Sequence, residues 1–424
     1  MDFRDFKKAG HLPTLISAFL YFDFSFMVWV TLGPLMIYIA KDLGFGVEDK
    51  FTLVAVPILA GAILRIGLGA CADHVGARRT ALFAQAAVII AVAWVWLFGL
   101  HSKLEIELLG IALGIAGASF AVALPQASRW YPPRYQGVVM GLAGAGNMGV
   151  VLDALIVPSI AVSHGWQNAF GFLLIPLVIT FAVYAIAAKD APASSRRLTW
   201  DGYRAVLRDR DSWWFMFFYF ITFGGFVGLA NALPLYFTIQ YHVSGVAAGI
   251  MAAVVVFFGS LFRPVGGHVA DRIGGVATLT VLFAIVSFAY FAAALLPAGP
   301  APAPGPDGME TAWQVAEMPS ITWLSVLLFS GGVLSLGMGN GAVFQLIPQR
   351  FAREIGIVTG LVGCAGGIGG FFLAKSLGLS KAMTGNFAAG FLMVSILACV
   401  GLAGLTFIKQ RWRATWGAEV EARV

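Results

Sequence analysis

Two arginines carry the charge that this chain can use for chemistry. Arg65 stands in GAILRIGLGACADHVG, Gly61 to Gly76, and Arg263 stands 198 positions later in GSLFRPVGGHVADRIG, Gly259 to Gly274. Aligned without a gap, Gly61 meets Gly259, Arg65 meets Arg263, Gly69 meets Gly267, Ala72 meets Ala270, Asp73 meets Asp271 and Gly76 meets Gly274. Each arginine lies inside a long apolar run. A charge at that depth in a membrane costs at least about 2.5–3.5 kcal/mol and marks a functional site by default. The plainer reading is a structural ion pair, but only Asp23 and Asp153 are acids lying well inside apolar runs. Two cations at repeat-related positions, short of carboxylates, make a receptor for a small anion. Arginine suits an oxyanion because its planar fork donates two parallel hydrogen bonds and can stack.

Positioning these cations takes membrane-spanning helices. The 424 residues are 59% hydrophobic and 11% charged, with mean hydropathy +0.85, where soluble proteins carry about 25% charged residues. No globular core hides that much apolar surface, so the composition specifies a polytopic membrane protein. Runs near the ~20 residues of one crossing predict twelve spans, over 13–40, 51–72, 79–100, 104–130, 136–163, 167–188, 212–241, 245–271, 275–297, 320–350, 355–379 and 383–409. The first run is too long for a cleavable signal peptide and leads into further spans. The repeat then divides the chain into a six-helix half over 1–188, a linker loop over 189–211 and a second six-helix half over 212–424. The Pro/Gly-rich stretch 297–313 predicts an extended loop.

Of the 27 Lys and Arg, 20 fall on the side shared by both termini, 4 on the other side (Lys41, Lys50, Lys103 and Lys381), and 3 inside spans (Arg65, Arg263 and Lys375). The positive-inside rule places both termini in the cytoplasm. The net charge of +6 then reflects basic loops, not a nucleic-acid partner. Three cysteines without metal-ligand spacing support neither a disulfide framework nor a metal site. No cofactor is expected.

Further residues qualify the site. Two glycine-rich runs, GLAGAGNMG at 141–149 and GLVGCAGGIGG at 360–370, align Gly141, Leu142 and Gly144 with Gly360, Leu361 and Gly363. Small residues let helices touch and slide, and at Gly144 and Gly366 they also let a flat ligand approach. Asn147 is the polar exception, either interhelical glue or a donor to the anion. Lys375 either snorkels to the interface or adds positive potential to the cavity. Asp153 pairs structurally, with Lys375 as one partner, or carries a proton. Asp23 is a second such acid, with helix packing or gating as its alternative. Asp73, Arg78 and Asp271 belong to tight turns whose carboxylates can accept from a helix N-terminus or an arginine and so latch one state.

Twelve spans, a basic central loop and the repeat resemble the major facilitator superfamily. Gly69, Ala72, Asp73, Gly76, Arg78 and Arg79 are similar to its G-x-x-A-D-x-x-G-x-R-R signature, and the echo at Gly267, Ala270, Asp271 and Gly274 lacks the trailing arginine pair. More specifically, AGAGNMG at 143–149, GCAGGIGGFFLAK at 363–375 and the opening stretch 10–35 resemble the nitrate/nitrite porter family. That resemblance implies a bacterial inner-membrane transporter of nitrate and nitrite. It assigns the substrate to Arg65 and Arg263, with Asn147, Tyr219, Phe223 and Phe120 beside it. Nitrate is flat, singly charged and weakly hydrated, so two guanidiniums can hold it in its plane while rings press its faces.

The expectation is therefore an all-α membrane protein of two pseudo-symmetric six-helix halves, working by alternating access as a monomer in the lipid bilayer. Empty, the two guanidiniums repel and resist closure; an anion between them permits it. Such a site explains nitrate/nitrite exchange directly. Proton-coupled nitrate uptake, the mode favoured here, adds a titrating group, with Asp153, Asp23 and Lys375 as candidates. A carrier of another small organic anion and a membrane sensor are the alternatives. An enzyme is disfavoured, since no nucleophile–base–orienter set lies within the spans.

Overall fold

The computed structural model describes residues 3–132, 139, 143–191, 200–303, 311–351 and 354–416. Among them twelve helices are long and apolar enough to cross a membrane. They are α1 (Leu12–Leu43), α2 (Val47–Val75), α3 (Ala77–Phe98), α4 (Lys103–Arg129), α5 (Gly146–His164), α6 (Trp166–Ala187), α7 (Arg210–Tyr241), α8 (Gly245–Ile273), α9 (Gly275–Leu295), α10 (Ser320–Arg350), α11 (Ile355–Thr384) and α12 (Ala388–Ala414). Hydrocarbon cannot hydrogen-bond a backbone, so apolar segments of this length satisfy their own amides as helices. The described residues form no sheet; one isolated bridge joins Val243 to Trp313. Two short helices, Phe3–Ala9 and Trp200–Arg208, lie where the sequence predicts only polar segments. Gly141 and Leu142 of the first glycine run, and Arg134, Arg196, Arg197, Arg353 and Arg423 of the basic loops, lie outside the described residues.

The repeat is visible in the turns. Gly76 ends α2 at φ 102° and Gly274 ends α8 at φ 97°, the same position in each copy and a region that only glycine enters readily. The Asp190 carboxylate accepts from the Arg78 amide at 2.8 Å, capping the start of α3. The Arg78 guanidinium donates to the Ala185 carbonyl at 2.5 Å, at the end of α6.

The spans nearest the centre are interrupted. α1 breaks at Thr31, ahead of Pro34. α4 breaks at Ala118 and Ser119, between Gly117 and Phe120. α5 opens with a 3₁₀ turn over Ala145–Met148, and α8 breaks at Phe262, directly before Arg263 and Pro264. Proline supplies no amide to the preceding turn, which accounts for the breaks in α1 and α8. The arginines alone supply the site's charge, so charge gives no reason to expect broken helices. The breaks are nonetheless present, and two of them frame the site's residues.

The halves meet along a seam on the side away from the basic loops. There α5 packs on α8, α1 on α7 and α2 on α11. Backbones touch closely at two glycines in particular. A Cβ at Gly249 would collide with the Ala154 carbonyl and lie 2.7 Å from Pro158, and one at Gly367 would lie 2.5 Å from the Cβ of Ala62. On the opposite side a cavity runs from Arg65 and Phe120 to Asp73, Arg129 and Tyr203. The central site therefore communicates with the side of the basic loops and is sealed from the other.

At the basic-loop end of the second half, Asp211 gathers three chain segments. It accepts from Trp412 Nε1 at 2.7 Å, from Arg350 Nε at 3.1 Å and from Arg411, while Asp209 pairs with Arg350 at 2.5 Å. The Asp211 side chain is 9% exposed. Asp211→Ala leaves the buried indole unpaired and should lower stability by about 2 kcal/mol, read as a fall in the melting temperature of the detergent-solubilised protein; an unchanged melting temperature would show that the cluster holds nothing together.

Candidate functional site

Arg65 is 2% exposed and Arg263 9% exposed, and neither enters an ion pair among the described residues. The carboxylate-poor reading of the sequence holds. Neutral groups orient both heads instead. Arg65 Nε donates to the Gly117 carbonyl at 3.1 Å. That acceptor is available because the Ala121 amide turns to Ala118 at the break in α4. Arg65 Nη1 donates to the Gly363 carbonyl of α11 at 2.8 Å, across the seam between halves. Arg263 Nη2 donates to the Tyr219 hydroxyl at 3.3 Å.

The rings complete the enclosure. The Arg65 guanidinium carbon lies 5.2 Å from the Trp29 ring centroid, 5.5 Å from Phe120 and 5.0 Å from Phe223. That of Arg263 lies 5.7 Å from both Phe120 and Phe344. Both cations thus converge on one face-sharing ring, Phe120. Tyr219 and Phe223, one turn apart on α7, stack in parallel at 5.0 Å with an interplanar angle of 2°. Stacked rings and cation–π contacts fix the heads without neutralising them. One nitrogen on each, Arg65 Nη2 and Arg263 Nη1, is buried and has no partner among the described residues. Two buried, unspent donors of like charge among aromatic rings suit a small planar anion.

Asn147 is 1% exposed in the 3₁₀ turn of α5. Its backbone carbonyl accepts from Ser260 of α8 at 3.3 Å, and its side-chain oxygen has no partner. Rotation of the terminal amide would present an N–H donor at the same place. Asp23 has a defined structural job: its carboxylate accepts from the Gly149 amide at 2.7 Å and caps the α-helical part of α5. Asp153 is fully buried with both oxygens unpartnered, and the expected pairing with Lys375 is absent. Lys375 is half-buried over the Phe371 ring at 5.8 Å. It stands about 18 Å along α11 from Gly363, at 1.5 Å per residue.

The glycines divide. Gly366 abuts the site, since a Cβ there would lie 2.6 Å from Tyr219 Cδ1 and 3.0 Å from Phe223 Cδ1. Gly144 does not: its nearest neighbour is Leu124 at 3.9 Å, and the tight glycines of this run are Gly146 and Gly149, packed on Phe22 and Asp23. In the loop motif, Asp73 pairs with Arg129 at 2.6 Å at the cavity mouth, an arginine partner as expected. Arg78 is engaged with α6 instead. Asp271 is exposed near the end of α8. Tyr203, on the linker helix, lines the same mouth; burial, and after it the Asp73 charge, push its phenol above the ordinary value, so it stays a neutral donor.

Trp29 and Phe344 are site residues that the sequence reading does not single out. Phe344 was legible: LPQ at 124–126 returns as IPQ at 347–349, which sets Phe344 one position out of register from Phe120. Trp29 carries no such echo. Its indole donates to the Pro57 carbonyl at 2.7 Å, which holds its face toward Arg65.

Comparison with known proteins places this geometry. Residues 15–374 match the family model of the Major Facilitator Superfamily. The chain is 31% identical over 396 residues to the probable nitrate/nitrite transporter NarK2 of Mycobacterium tuberculosis, covering 92% of this chain and 95% of that one. It is 28% identical to the nitrite extrusion protein of Bacillus subtilis, over 88% of each chain. It is also 28% identical to the probable nitrate/nitrite antiporter NarK1 of Thermus thermophilus, over 93% of this chain and 90% of that one. A crystal structure of the human organic anion transporter MFSD10 (TETRAN) shares the fold, with a TM-score of 0.62, 15% identity, and coverage of 93% of this chain and 99% of that one.

The packing at Gly366 generates a direct test. Gly366→Val drives a side chain into Tyr219 and Phe223 and displaces the hydroxyl that holds Arg263. Stabilisation of the purified protein by small oxyanions in thermal melts should be lost while its circular dichroism stays helical. Anion stabilisation equal to that of the unaltered protein would show that these rings do not shape the site.

Proposed function

The chain belongs to the major facilitator superfamily and, within it, to the nitrate/nitrite porters, and we propose that it carries nitrate and nitrite across a bacterial inner membrane. The single observation behind the substrate is the pair of buried guanidiniums flanking Phe120, each with one unspent nitrogen. An anion accepting from both nitrogens would draw the halves together and lower the repulsion between the heads. Asn147 would donate from α5, Tyr219 would orient Arg263, and Phe120 and Phe223 would cover the faces of the ion. On this reading the basic loops and both termini face the cytoplasm, the cavity past Asp73 and Arg129 is the cytoplasmic exit, and the protein works as a monomer. Rocking of residues 1–188 against 212–424 would open the opposite seam.

Two coupling modes fit, each with its own support. Proton-coupled nitrate uptake, the mode expected from sequence, is supported by the unpaired carboxyl of Asp153. Nitrate/nitrite exchange is supported by the two unneutralised cations, which resist closure of an empty site. Proteoliposomes separate the modes. Nitrate entry into nitrite-free vesicles driven by an inward proton gradient would establish symport. Entry only against internal nitrite, indifferent to the gradient, would establish exchange. No entry in either case would overturn nitrate as the substrate.

Arg65→Lys or Arg263→Lys keeps the charge and loses the planar fork. Either should reduce transport by well over tenfold in a protein that inserts normally, and near-normal uptake would remove the arginines from the site. Asn147→Ala should raise the KM for nitrate by about tenfold or more, from the loss of a hydrogen bond to a charged group worth about 1.5–3 kcal/mol; an unchanged KM would make the residue packing glue.

A further inference from the structure

We propose that Asp153 is a proton-binding site of the seam: it must hold a proton for the halves to close on the side away from the basic loops, and it gives that proton up when they part. The proposal rests on the alternating-access reading above and adds the group that gates one of its faces.

The side chain is 0% exposed in α5, and neither carboxylate oxygen has a hydrogen-bond partner. Its surroundings place it in the seam. The Thr31 hydroxyl at the break in α1 lies beside it, outside hydrogen-bond geometry. Two residues on, Gly33 packs directly on the backbone of Asn231 in α7. One residue on from Asp153 itself, the Ala154 carbonyl meets Gly249 of α8. Both contacts, one near Thr31 and one next to Asp153 in the chain, join the halves. Thr31 Oγ1 and Asn231 Oδ1 are buried there without partners. A protonated Asp153 can donate to the Thr31 hydroxyl oxygen, and an ionised one could accept from that same hydroxyl.

No neighbouring charge compensates an ionised Asp153. On α1, Asp23 accepts from Gly149, Tyr38 donates to Pro158 at 3.4 Å, Asp42 accepts from Trp166 and Lys41 is exposed. Tyr21 packs on Tyr184 of α6, which donates to Gln126. The segment of α8 packed on α5, Gly245–Leu261, carries no titratable side chain. Ionisation in the closed seam therefore leaves an unpaired carboxylate in a low-dielectric interior, which is strongly destabilising. An open seam admits water and restores the charge. By linkage, acid favours the closed seam and alkali the open one.

Asp153 does not line the cavity that reaches the basic-loop side. On this proposal its proton is exchanged with the seam side. Acid on that side speeds closure, whether or not a proton is also carried through.

The test follows the seam itself. Spin labels on Leu43→Cys and His242→Cys, at the seam-side ends of α1 and α7, report its opening by dipolar spectroscopy in nanodiscs, with Cys71, Cys364 and Cys399 replaced by alanine. The long-distance population should grow severalfold from pH 5.5 to pH 8.5. Asp153→Asn should hold the short distance at both values, and Asp153→Glu should retain the response. A seam indifferent to pH in the parent protein, or an Asp153→Asn variant that opens with pH as the parent does, would overturn the proposal. The parent scan alone is decisive should Asp153→Asn fail to fold. No nitrate is present, so failure of nitrate transport in vesicles and failure of this gate are read separately.

Discussion

Two uncompensated positive charges in a low-dielectric interior are the constraint from which the rest of this structure follows. A carboxylate beside either arginine would neutralise it and abolish its pull on an anion. The protein instead holds Arg65 and Arg263 with carbonyl dipoles, one phenol and four rings, none of which cancels charge. This support is dense because the cost it offsets is large: each buried charge is worth at least about 2.5–3.5 kcal/mol against the membrane. The same support leaves one nitrogen on each head unspent.

The interruptions in α4 and α8 serve that constraint. A carbonyl inside an unbroken helix already accepts from the amide four residues on, and a further donor must share it, as Arg65 does at Gly363. The break after Gly117 releases one, and Arg65 takes it. The break at Phe262 sets Arg263 at the first turn of a new segment, with Pro264 where an amide would go unused. The 3₁₀ turn that carries Asn147 is followed at once by Gly149, whose amide Asp23 caps. Asp23, for which the sequence offers helix packing or gating beside a proton role, caps this local defect. Asp153 has no such duty, and the two acids of the first half are not equivalent.

What could be read from the sequence was what repeats or what lipid enforces. Twelve apolar runs are twelve helices because the bilayer permits little else, and the span 320–350 matches α10 to the residue. The arginines were legible because the chain carries them twice. The interior detail was less so. Breaks at Thr31 and Ala118 arise where a proline a few residues on removes the helical bond or a tertiary donor competes for its carbonyl, and no local composition announces the partner. The linker helix escaped notice because a polar stretch with Trp200, Tyr203 and Val206 at helical spacing is too short to register against a charged background. Gly144 and Gly366 look alike in the aligned runs, yet one faces Leu124 and the other two aromatic rings; periodicity gives the face of a helix, not what stands opposite.

The two halves repeat in sequence but not in bonding, and the difference assigns the arginines different parts. Arg263 is tied to Tyr219 within its own half, so it keeps that partner however the halves move. Arg65 is tied to Gly363 of the other half, so its Nη1 must surrender that bond whenever α2 and α11 separate around it. A guanidinium that loses a carbonyl across the interface needs another acceptor at once, since an unsatisfied charged donor in this interior costs several kcal/mol. A bound anion supplies that acceptor. On the proposed reading an anion would draw the two heads together and also offer Arg65 an acceptor when the Gly363 bond is given up, so this one hydrogen bond would tie movement to occupancy. On the proposed reading the symmetric charge pair would attract the anion, and the asymmetric bonding would make its presence felt by the interface.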